Sequence, residues 1–149
     1  MTFDVGSIGI GAAFALSALG SALGVTVAAQ AAVGAWKRAY MQNKQASFLL
    51  VAFTGFPLSQ TFYGLILMNT IIANISRLDS ALMLVIGVLG GTVIGASAYL
   101  QGVAAASSCD AYGETGKGFA NYVMVLGIIE STALLAMVFL MNAISALVA

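Results

Sequence analysis

Charge in this chain is confined to short clusters, and the gaps between the clusters dictate what it can fold into. Asp4 stands near the start. Lys37, Arg38 and Lys44 follow, then Arg77 and Asp79, then Asp110, Glu114 and Lys117. Between them lie segments 5–36, 45–76, 80–109 and 118–149, each about 30 residues long and uncharged but for one residue. Roughly 20 apolar residues are enough to cross a bilayer core. Backbone groups inside hydrocarbon must pair within their own segment, so such stretches become helices. The composition agrees: 61% of residues are hydrophobic and 7% charged, against roughly 25% charged in soluble domains. The expectation is an all-α membrane protein of four transmembrane helices, a single membrane domain spanning 1–149.

The same inventory excludes several function classes. Net charge is zero and no cluster is basic enough for a nucleic-acid partner. There is no His, which removes the commonest transition-metal ligand and neutral-pH base. The single Cys109 cannot form an internal disulfide. The N-terminus lacks the basic region of a signal peptide, so the first apolar segment is expected to be retained. No phosphate-binding loop is present, which argues against nucleotide hydrolysis by this chain. Four of the five cations fall around 37–44 and 110–117, and one falls at 77. The positive-inside rule therefore places the first and third connections in the cytoplasm, with the middle connection and both termini outside.

The chain reads as two helical hairpins in tandem, 1–78 and 79–149. Shifted by 72 residues, Val51, Gly55, Ser59 and Ile72 fall on Val123, Gly127, Ser131 and Ile144. Shifted by 80, Gly11, Ser17 and Ala18 fall on Gly91, Ser97 and Ala98. The first connection is about eight residues longer, measured from Ser21 to Leu58 against Gln101 to Glu130. The first and third spans are rich in glycine. Gly20–Gly24, Gly87–Gly91 and Gly91–Gly95 have the four-residue spacing that lets membrane helices approach closely. These two spans are expected to form a tight inner layer. The second and fourth, carrying Phe53, Phe56, Phe62, Tyr63 and Phe139, would form the outer one.

Glu130 is the one charge inside a span. An ionised carboxylate near the centre of a membrane helix costs ~3 kcal/mol or more, so it is a candidate functional group. At ~1.5 Å per residue, antiparallel residues equidistant from a turn share a depth. Gln101 and Glu130 are centred on the turn at 113–118, and Gln60 and Gln101 on the edge of that at 77–80. All three can lie at one level, with Glu130 about 22 Å of helix from the cytoplasmic turn. Phe56, Ser59, Gln60 and Tyr63 form one stripe on the second span. Pro57 has no N–H, so the span should bend there and leave a main-chain carbonyl loosened.

Two glutamine oxygens, a serine hydroxyl, a carboxylate and a carbonyl suit a hard cation. One negative charge is neutralised by Na⁺, whereas a divalent ion would leave net charge in lipid. A proton carrier needs less, because a protonated acid is satisfied by one acceptor. The set therefore favours Na⁺, with H⁺ as the alternative. Taken singly, either glutamine also reads as interhelical hydrogen-bonding glue, Ser59 as a packing residue and Tyr63 as an interfacial anchor.

The stretch Phe56-Pro57-Leu58-Ser59-Gln60-Thr61-Phe62-Tyr63-Gly64, followed by Gln101 and Glu130, resembles the proteolipid (c or K) subunit of V-type rotary ATPases, most of all the bacterial Na⁺-translocating branch. The resemblance covers the whole chain. It implies an ion held by Glu130, Gln60, Gln101, Ser59 and the main-chain carbonyl of Phe56, with Tyr63 hydrogen-bonded to the carboxylate. It also implies a homo-oligomeric ring with the first and third spans lining its inside. The partners implied are a stator membrane subunit supplying an Arg, central-stalk subunits and a soluble ATPase head. Leu58 occupies the place of Glu130 in the first hairpin, so one ion per subunit is expected. Two rivals use the same features: a proton rotor of this architecture, and a small four-helix cation or drug exchanger. A tetraspan scaffold would leave Glu130 without a purpose.

Overall fold

The computed structural model describes residues 4–149, and all regular structure among them is helical. Helix α1 runs Val5–Met41, α2 Leu50–Gly55, α3 Ser59–Ala73, α4 Ser80–Thr115 and α5 Phe119–Leu147. A single 3-10 turn, Phe56–Leu58, joins α2 to α3. With α2, the turn and α3 counted as one span, four helices are long and apolar enough to cross a membrane.

Helix boundaries follow local chemistry. Asp4 caps α1 by accepting the Gly6 N–H at 3.0 Å, and Asp79 caps α4 by accepting the Leu82 N–H at 2.9 Å. Such caps satisfy amides that the first helical turn leaves unpaired. The Ser80 side chain, and then the Gly6 N–H, hold the Asp4 carboxylate below its ordinary range. Gly6 lies against Ser80, so the starts of α1 and α4 pack together. At the other end α4 stops where Gly116 adopts φ +63°, and Gly118 at φ +83° begins α5. These left-handed conformations are easy for glycine and strained for other residues. The resulting short link fixes the register between α4 and α5.

Two boundaries depart from the charge pattern. Lys37 and Arg38 belong to the last turns of α1, and Asp110 and Glu114 to those of α4, rather than to loops. No helix breaker stands at these positions, so the helices run on past the apolar segments. Arg38 pairs with Asp110 and lies 3.7 Å from Glu114. All three side chains are exposed, where such pairs contribute little stability. The longer first connection folds back on α1, with Trp36 Nε1 donating to the Ser47 carbonyl at 2.8 Å.

The most extensive interface joins α1 to α4, which run parallel. Gly9, Gly20 and Gly24 of α1 meet Gly87, Gly95 and Gly102 of α4 so closely that a Cβ on any of them would strike backbone of the opposite helix. Without a solvent-driven hydrophobic effect in lipid, dispersion between close backbones is what such contacts supply. The two hairpins thus pack together and share two apolar clusters, one around Leu67, Ile94 and Ile144 and one around Phe53, Ala105 and Leu126. Outside it, Leu19, Leu23, Phe62, Leu89, Leu100 and Phe139 are all at least half exposed, as suits a surface facing hydrocarbon. Phe53 departs from the expected outer layer. It is fully buried, with ring centroids 5.2 to 6.1 Å from Phe119, Tyr112 and Tyr122. It points inward because those three aromatic residues form a cluster where α4 turns into α5.

Candidate ion site

Around Pro57 the second span changes its hydrogen bonding. The 3-10 turn lets the Phe56 carbonyl accept the Ser59 backbone N–H, and the Ser59 hydroxyl also donates to it at 3.1 Å. The 3-10 turn at Pro57 leads directly into α3, which carries Ser59, Gln60 and Tyr63. Gln60 is fully buried, while Phe56, Ser59 and Tyr63 are half-buried.

From Ser59 a polar chain crosses three helices. The Ser59 hydroxyl lies 3.1 Å from Gln60 Oε1. Gln60 Nε2 donates to Gln101 Oε1 at 2.8 Å, and Gln101 Nε2 donates to the Leu126 carbonyl of α5 at 2.9 Å. The depth count from the two turns is thereby met for Gln60 and Gln101. Glu130 stands one helical turn beyond Leu126. Its Oε1 accepts the Tyr63 hydroxyl at 2.7 Å, linking α5 back to α3. A second α4 residue, Ser97, donates to the Ile129 carbonyl at 3.2 Å. Ser97 and Gln101 are one turn apart and hold the α5 main chain at Ile129 and Leu126, in the turn that precedes Glu130.

Every sequence-predicted residue is thus brought into one region: Phe56, Pro57, Ser59, Gln60 and Tyr63 from the second span, Gln101 from α4, Glu130 from α5. The contacts among them are more specific than the sequence suggests. Among the described residues, Glu130 takes a side-chain hydrogen bond only from Tyr63, not from either glutamine. The physical reason is that both amide nitrogens donate elsewhere, Gln60 Nε2 to Gln101 Oε1 and Gln101 Nε2 to the Leu126 carbonyl, while amide oxygens cannot donate to a carboxylate. The Leu126 carbonyl and Ser97 were not anticipated. Ser97 carried a usable signal, standing four residues before Gln101 on the same face.

Burial grades outward across the site. Gln60 and Gln101 are sealed in the bundle, whereas Glu130 is half-buried. About 17 Å of helix separates Glu130 from the start of α5 and about 26 Å from its end, so the carboxylate lies well inside the span. Oxygens dominate the donor set: one carboxylate, two carboxamides, one hydroxyl and the Phe56 carbonyl, which now accepts from Ser59. Among the described residues no three His, Cys, Asp or Glu side chains come together. A single-carboxylate oxygen set fits a monovalent hard cation better than a transition metal. No protein-family model matches the chain, and no curated protein matches it.

Proposed function

We propose that this chain is the rotor-ring subunit of a V-type rotary ATPase and carries Na⁺ across the membrane on Glu130. The observation that carries the reading is the half-buried Glu130 carboxylate, bonded to Tyr63 at 2.7 Å beside the Ser59–Gln60–Gln101 chain. The Phe56 carbonyl, Ser59 hydroxyl, Gln60 and Gln101 oxygens and the carboxylate are the ligands. The ion draws one lone pair of each oxygen toward itself, and Gln101 Oε1 keeps a second lone pair for the Gln60 amide. Its single charge neutralises Glu130, so the loaded site can face lipid without the penalty of a bare charge.

Identical copies assemble in a ring in the cell membrane, with α1 and α4 inward and Glu130 outward. A stator membrane subunit supplies an Arg that displaces the ion, and central-stalk subunits link the ring to a soluble ATPase head. The chain itself is non-catalytic. Moving one charge through 100 mV takes ~2.3 kcal/mol, so several ions pass per nucleotide step.

Carbodiimide modification of Glu130 in the purified ring tests the assignment. Na⁺ at constant pH should protect Glu130 from the reagent. Protection by acid alone would convert the assignment to the proton rotor. A dimer in mild detergent, in place of a large closed ring, would favour the exchanger.

A further inference from the structure

Ser21 of α1 is 1% exposed, and its Oγ is the one buried side-chain nitrogen or oxygen among the described residues with no hydrogen-bond partner. Its neighbours behave otherwise. Ser17 donates to the Ala13 carbonyl at 2.8 Å and Ser108 to the Ala104 carbonyl at 2.9 Å, four residues back in each case. The Ser21 hydroxyl does not make that bond. A buried polar group left unpaired costs ~1–3 kcal/mol, so its position calls for a physical account.

Helix register supplies one. Gly64 of α3 sits against Ser17, and Pro57 sits against Gly24. Ser21 lies four residues after Ser17 and three before Gly24, while Gln60 lies four before Gly64 and three after Pro57. The antiparallel contact that seats those two pairs therefore sets Ser21 across from Gln60. Both are fully buried.

Consider what Gln60 must do when an ion arrives. Its Oε1, now beside the Ser59 hydroxyl, turns to the cation. Its NH₂ group has two donors, and Gln101 Oε1 takes one. The second needs an acceptor in a dry site, and the amide must be kept from presenting its nitrogen to the cation. Resting on the Na⁺ reading above, we propose that Ser21 is a positioning residue of the ion site. Its Oγ accepts the second Gln60 amide proton, while its own proton turns back to the Ser17 carbonyl. That arrangement holds Gln60 Oε1 toward the cation.

The test uses the intact ring and the Na⁺ concentration that half-protects Glu130 from carbodiimide. Ser21→Ala should raise that concentration about ten-fold, the equivalent of ~1.4 kcal/mol. In a Gln60→Leu background the same substitution should make no further difference, because the amide it positions is gone. Unchanged half-protection in Ser21→Ala overturns the inference. So does an undiminished Ser21→Ala effect in the Gln60→Leu ring, which would mark a packing defect. An unsubstituted ring that Na⁺ fails to protect removes the cation reading itself, and the inference with it.

Discussion

The bond from Tyr63 to Glu130 decides how the carboxylate is held. A hydroxyl donating to a charged acceptor contributes about 1.5–3 kcal/mol, more than a neutral pair. It also leaves the second carboxylate oxygen free of side-chain hydrogen bonds among the described residues. Tyr63→Phe keeps the ring and removes the donor. We expect it to raise the half-protecting Na⁺ concentration at least about ten-fold while the ring stays assembled, as read by carbodiimide protection and by native mass. An unchanged value would show that the phenol plays no part in holding the site. The depth match of Gln60 and Gln101 was legible in the sequence because helical rise is constant and the turns are short, whereas Glu130 stands one turn beyond Leu126, the residue Gln101 reaches on α5. The direction of each hydrogen bond was not. A glutamine can offer either end of its amide, and only the placement of the Leu126 carbonyl settles that Gln101 turns its nitrogen to α5. Ser21 was hidden for a related reason, since a serine in a glycine-rich helix reads as one more small residue.

Among the helices, two local features set the site's shape. Pro57 was legible as a break, because a missing N–H must interrupt the helical ladder. The 3-10 form of that break, with the Phe56 carbonyl held by Ser59, depends on the Ser59 side chain and its packing. The glycine spacing likewise marked α1 and α4 as close neighbours, yet Gly11 and Gly34 of α1 play no part in that contact. A Cβ on Gly20 would run into the backbone of Gly95, whereas one on Gly11 would meet nothing within 4 Å. Overpacking usually costs about 1–3 kcal/mol when side chains can shift. Here the obstacle is backbone, so Gly20→Ala should destabilise by about 3 kcal/mol, and Gly11→Ala should be neutral or slightly stabilising through helix propensity. Thermal unfolding in detergent, followed by circular dichroism, compares them. Equal transitions would show that close α1–α4 approach is not what holds the bundle. The outer-layer reading of Phe53 failed because span membership does not fix which way a side chain points, and an aromatic cluster drew it inward.

Across the whole molecule, charge separates by end. Lys37, Arg38, Lys44 and Lys117 gather at the end where α1 and α4 finish and α5 begins, and Arg77 stands alone among cations at the other. Pairing of Arg38 with Asp110 does not weaken the asymmetry, since acidic residues contribute little to orientation. The four-fold excess of cations predicts that the Lys/Arg-rich end faces the cytoplasm. Glu130 is then nearer that face, with the longer part of α5 between it and the outside. Gln42 and Ser76 are exposed residues in links at opposite ends of the bundle, and the native Cys109 is buried. In a Cys109→Ala background, Gln42→Cys should react with a membrane-impermeant maleimide only in inside-out vesicles. Ser76→Cys should react only in right-side-out ones. The opposite pattern would invert the topology and place Glu130 closer to the outer surface.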